Sequence, residues 1–142
     1  MKVSLSYSEN MHFTASARHF KNIHVDESEA FHGDDSAPSP VEYVLIGTGG
    51  CIGSTFVFCL QKNNVLIEKL EVDVEGILKH SGLNNSLKLI KITVELLVTL
   101  KEGESSEKIQ ICHKQLLKYC PVFNAFNSGI PLNINISNQK ST

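Results

Sequence analysis

The stretch from Pro40 to about Asn63 leaves this 142-residue chain the fewest choices. It opens on Ser39-Pro40-Val41-Glu42. The serine can accept a first-turn N–H, the proline stands where its missing N–H does no harm, and the glutamate three positions on can reach back to the serine's own N–H. Behind this capping box, Val44, Leu45, Ile46, Ile52, Phe56, Val57, Phe58 and Leu60 fall on nearly every face. Such a pattern predicts a helix buried on most sides. A single domain over residues 1–142 has little else with which to cover it, so the pattern also predicts a homodimer that does not come apart without unfolding. Gly47, Gly49, Gly50 and Gly53 interrupt the run, and each costs about 1 kcal/mol relative to alanine inside a helix. Either the backbone breaks or kinks there, or a neighbour packs so closely that a side chain would clash.

On either side of this segment the period changes to two. Val3, Leu5 and Tyr7, then Met11, Phe13 and Ala15, then Ile23 and Val25 predict a three-stranded meander. Residues 27–39 collect Gly, Asp, Ser and Pro and form a loop. Leu70, Val72 and Val74, and then Ile92, Val94, Leu96, Val98 and Leu100, predict two longer strands joined across HSGLNNS. Ile109, Cys112, Leu116 and Tyr119 or Cys120 follow at helical spacing behind a serine cap, and Pro121 stops that helix at Cys120. A turn through VFNAF and a last strand, with Leu132, Ile134 and Ile136 alternating against asparagines, complete the reading. Three strands, helix, two strands, helix, strand is not a βαβ alternation, so the expected class is α+β with mainly antiparallel sheets around the buried helix.

Thirteen basic against fifteen acidic residues give a net charge of -2, which provides no positive field for nucleic acid or an anionic membrane. No apolar run approaches the about 20 residues of a bilayer span, and the N-terminal residues lack a signal core, so a cytoplasmic protein without a membrane partner is expected. The six histidines share no spacing, and the four cysteines at 51, 59, 112 and 120 make neither a CxxC pair nor a Cys/His metal set. No metal and no cofactor are expected. In a reducing compartment the cysteines begin as thiols.

Reactive cysteines are thiolates, favoured at helix N-termini and beside cations. Cys51 meets the first condition if Gly49-Gly50 restarts the helix, for the freed N–H groups would then point at its sulfur. As a small buried hydrophobe it would be inert instead. Cys120 ends a helix, where the dipole opposes a thiolate, and suits the role of a resolving partner. Cys59 and Cys112 lie on apolar stretches and are expected to be buried and without chemistry.

SPVEYVLIGTGGC at 39–51, a long apolar helix, a strand ending in VEG and a later helix closing in KYCPV at 118–122 together resemble the OsmC/Ohr family. The match runs in order over nearly the whole chain. The resemblance implies an α+β fold in which two chains intertwine as a homodimer with two sites at the interface. It implies that Cys51 attacks organic hydroperoxides, that Cys120 resolves it, and that a small dithiol reduces the disulfide. It also makes Arg18, the chain's one arginine, a candidate site cation, and Glu42 the candidate acid that holds it. In the family's peroxidases the acid directly follows the motif proline, where this chain has Val41; Glu42 is rotated from that place by about 100° of helix. An apolar pocket around Val41, Leu45 and Phe123 is expected to favour alkyl or lipid-like hydroperoxides. The rival readings are a non-enzymatic redox sensor or thiol or acyl-ligand binder on the same scaffold, and a pair of inert buried cysteines.

Overall fold

The computed structural model describes residues 1–138. Strands β1 (Val3–Tyr7), β2 (Phe13–Ala17) and β3 (Phe20–Val25) form an antiparallel meander in the order β1-β2-β3. Tyr7 pairs with Phe13 and Phe13 with Val25, and a bulge falls between Ala15 and Ala17. Helix α1 (Pro40–Lys62) follows, then β4 (Ile67–Ser81) and β5 (Ser86–Leu100) as a second sheet, then α2 (Glu107–Tyr119) and α3 (Pro121–Ser128). The four residues between β4 and β5 permit only antiparallel pairing. Leu70, Val72, Val74 and Ile92, Val94, Leu96 sit on the more covered faces of these strands, as period two requires. The fold is therefore α+β with antiparallel sheets.

The chain divides into two compact units, Met1–Gly50 with Leu70–Leu97 and Cys51–Lys69 with Val98 onward. In the first, the capping box is fully formed. Ser39 N–H donates to Glu42 Oε2 at 2.7 Å and Glu42 N–H donates to Ser39 Oγ at 3.3 Å. The helix then runs through its glycines without a break; close packing accounts for Gly49, whereas a Cβ on Gly47 or Gly50 would meet nothing within 4 Å. A Cβ on Gly49 would come within 2.7 Å of Val74 Cγ2, and one on Gly76 within 3.0 Å of Leu45 Cδ2. Tyr43 Oη donates to the His24 carbonyl at 2.7 Å and ties α1 to β3. α1 is in fact long and apolar enough by composition to cross a membrane, with a mean hydropathy of 1.7, so the absence of any such run is corrected. Thr48, Ile52, Phe56, Cys59 and Leu60 bury one face of it while Val44, Ile46 and Phe58 are exposed, so the expected burial on most sides is corrected to burial on one face in a single chain.

Asp26 is a structural centre that sequence reasoning missed. Its fully buried carboxylate accepts from Glu27 N–H, Asp34 N–H, Ser36 N–H and Ser36 Oγ at 2.8–3.2 Å, gathering the loop that leads to α1. The Ser36 backbone and hydroxyl donors hold its carboxyl below the usual range.

Two expectations fail at the end of the chain. VFNAF is no turn but the body of α3, with Pro121 at its first position and Cys120 as its cap. The expected strand over Leu132–Ile136 has no regular structure, and Leu132, Ile134 and Ile136 are exposed. Alternation alone makes no strand without a partner to take its backbone hydrogen bonds.

Candidate active site

In the second unit Cys51 and Cys120 are free thiols with their sulfurs 3.7 Å apart. Cys120 is fully buried and Cys51 partly so. The expected helix restart at Cys51 is absent. An unbroken α1 keeps its amides in its own ladder, and the Ser54 and Thr55 hydroxyls turn back on the Cys51 carbonyl at 3.2 and 2.8 Å.

A helix N-terminus does reach Cys51, but it is that of α3. Cys120 closes α2, donating its N–H to Leu116 O at 2.9 Å. It also opens α3, its carbonyl accepting from Asn124 N–H at 3.1 Å and Asn124 Nδ2 at 2.9 Å. Val122 N–H, a first-turn amide with no acceptor within its own helix, donates to the Cys51 sulfur. Burial nevertheless pushes the Cys51 thiol above its ordinary value, and the neighbouring Cys120 adds to this, against the Val122 and Thr55 hydrogen bonds. The expectation of a thiol lowered by its own helix is thus overturned in direction and in cause. The expectation that Cys120 merely ends a helix is amended too, because its extended backbone, φ -70° and ψ 116°, joins two helices.

Arg18 and Glu42 belong to the other unit, each with a local partner. Arg18 occupies the exposed β2–β3 turn in a left-handed conformation, φ 57°, with its guanidinium 5.3 Å from the Phe20 ring centroid. Glu42 spends its carboxylate on the capping box, where Ser39 holds it below the usual carboxylate range. A cavity of about 490 Å³ in that unit is lined by Phe31, Val41, Glu42, Leu45, Leu78 and Leu87 among others. Val41 and Leu45 line it as expected; Phe123 is not among its residues.

Cys59 and Cys112, expected to be inert, are joined as a disulfide with Cα atoms 5.5 Å apart. A signal for this was present in the sequence. Cys51 and Cys59 are eight positions apart on one helix and Cys112 and Cys120 eight apart on another, so antiparallel packing that matches one pair matches both.

Residues 33–135 match the family described as OsmC-like protein. No curated protein is similar to the chain by sequence. Among solved structures, an OsmC-like protein from Mycoplasma pneumoniae superposes with a TM-score of 0.75 at 19% identity, over 96% of this chain and 94% of that one. The organic hydroperoxide resistance protein OhrB of Bacillus subtilis gives 0.62 at 19% over 90% of each chain. An organic hydroperoxide resistance protein from Legionella pneumophila gives 0.62 at 17% over 88% and 87%.

Proposed function

Because the chain belongs to the OsmC-like family, we propose that it is a thiol-dependent peroxidase that reduces organic hydroperoxides with Cys51 and Cys120. The observation that carries this reading is the pair of free sulfurs 3.7 Å apart. The Cys51 thiolate attacks the terminal peroxide oxygen, the O–O bond breaks, and the alkoxide leaves as an alcohol after taking a proton. The resulting sulfenic acid condenses with the Cys120 thiol, forming the disulfide and releasing water. The two sulfurs close about 1.7 Å to reach the disulfide bond length of ~2.05 Å. A small dithiol then reduces the bond and leaves as its own disulfide. The family resemblance is the ground for proposing that Val41 and Leu45, which line the cavity of the first unit, favour alkyl or lipid-like hydroperoxides.

Arg18 is proposed as the cation that steadies the departing alkoxide, and Glu42 as an acid near the same pocket; both assignments rest on the family resemblance. A homodimer supplies cover that one chain lacks. Val3, Leu5 and Tyr7 of β1, Ile46 and Phe58 of α1, and Ile130 through Ile136 are exposed in a single copy. One species of twice the chain mass in light scattering at micromolar concentration is expected, and a stable folded monomer overturns this part. We place the protein in the cytoplasm.

The raised Cys51 thiol favours one rival, a slow redox sensor. Stopped-flow consumption of cumene hydroperoxide with a dithiol in excess separates the two. Repeated turnover supports the peroxidase, and a single oxidation without turnover supports the sensor. Thiols that react with neither peroxide nor an alkylating reagent sink both.

A further inference from the structure

The second cysteine couple has no task in the peroxidase reading, yet its surroundings are not those of an inert bond. Cys59 follows Cys51 by eight positions and Cys112 precedes Cys120 by eight, which is about 12 Å along a helix. That exceeds the ~4.4–6.8 Å between Cα atoms that a disulfide can span. The two couples therefore cannot exchange with one another directly.

Asn63 Nδ2 donates to the Cys59 carbonyl at 2.8 Å and stands 3.4 Å from Cys59 Sγ and 3.8 Å from Cys112 Sγ. Gln115 Oε1 is 3.3 Å from Cys59 Sγ, and Lys108 Nζ fixes the Asn63 carbonyl at 3.0 Å. A cavity of about 590 Å³ opens on one side of the bond, lined by Phe58, Cys59, Lys62, Asn63, Gln115 and Tyr119 but not by Cys112. Lys62 Nζ sits 4.7 Å from the Phe58 ring centroid. The cavity thus reaches Cys59, which is 4% exposed, and not Cys112, which is 0% exposed, and it does so beside an amide donor and a cation.

We propose that Cys59–Cys112 is a second thiol–disulfide exchange site, whose substrate is a small thiol bearing a carboxylate. Lys62 attracts the carboxylate. The incoming thiolate attacks Cys59 Sγ, and the bond to Cys112 breaks. Cys112 leaves as a thiolate that accepts from Asn63 Nδ2 and then takes a proton. A second molecule of the small thiol attacks the mixed disulfide, freeing Cys59 as a thiol and leaving as a symmetric small disulfide. The same steps in reverse, driven by that small disulfide, rejoin the pair. The proposal rests on the disulfide and its cavity and does not need the peroxidase reading.

The test uses the full chain carrying Cys51→Ser and Cys120→Ser, so that one couple remains and any failure at the first site has no bearing. The folded protein is equilibrated with varied ratios of reduced and oxidised glutathione, quenched, alkylated and mapped by mass spectrometry. The bond should open and close reversibly. With Cys112→Ser added, oxidised glutathione should attach to Cys59; with Cys59→Ser instead, Cys112 should stay unmodified. Asn63→Ala should slow opening about tenfold, and Lys62→Glu should slow glutathione about threefold more than neutral 2-mercaptoethanol. A bond that opens only when the protein unfolds is a structural staple and overturns the proposal. So do attachment at Cys112 in place of Cys59, and unchanged rates in both the Asn63→Ala and Lys62→Glu proteins.

Discussion

The two cysteine couples join α1 to α2 and to the residue that closes α2, eight positions apart on each side, yet they are in different states. Cys51 and Cys120 are free thiols 3.7 Å apart, whereas Cys59 and Cys112 are bonded. The difference lies in what the partner's backbone is doing. Cys112 is inside α2, held by the rigid spacing of a helix, while Cys120 is the hinge between α2 and α3. A sulfur between two helices is not tied to the spacing of either, and Cys120 stands close to Cys51 without being bonded to it.

The comparison breaks first on peroxide chemistry. Cys51→Ser should slow cumene hydroperoxide consumption by at least about 10³-fold, because it removes the nucleophile. Cys59→Ser with Cys112→Ser should stay within about threefold of the parent. Equal losses in both proteins would show that the couples act as one.

Stability should rank them the other way. The Cys59–Cys112 bond spans a sequence separation of 53 residues, so removing it from the oxidised protein should cost about 4 kcal/mol in the chain-entropy account. Cys120→Ser should cost far less in the reduced protein. Urea unfolding of each protein measures both.

A third test sharpens the electrostatics. The Cys51 thiol is raised, and the reactive species is the thiolate. Alkylation of Cys51 in the reduced protein should therefore climb about tenfold per pH unit between 7 and 8, and keep climbing past the ordinary thiol value of ~8.5. A plateau below pH 8 would show that α3 and Thr55 outweigh burial. The smallest effect should come from Thr55→Val: the Thr55 hydroxyl donates to the Cys51 carbonyl at 2.8 Å and lowers the thiol beside it, so its loss should slow alkylation at pH 7 about threefold.

Local chemistry was the part of this fold that could be read in advance. The capping box depends on residues three apart, and the alternating strands on residues two apart, so Ser39, Glu42 and the β4–β5 hairpin are visible in the chain itself. The continuity of α1 was not, because the helix penalty at Gly49 is local while its remedy, Val74, lies 25 positions away. The same limit hid the true source of the N–H at Cys51. The type of group was legible, but its place on α3 depends on how Cys120 joins two helices. Residues 132–136 erred in the opposite sense, since a strand pattern says nothing about whether a partner strand exists.

The 69 positions between Cys51 and Cys120 also have a meaning in time. At roughly 5–20 residues added per second, a ribosome completes Cys120 about 3–14 s after Cys51. Through that interval the nascent chain carries Cys51 without Cys120. The one cysteine made soon afterwards, Cys59, lies about 12 Å along α1 once the helix has formed and cannot bond to it. The spacing that stacks the two couples in the finished molecule thus also guards the nascent chain against its nearest mispairing.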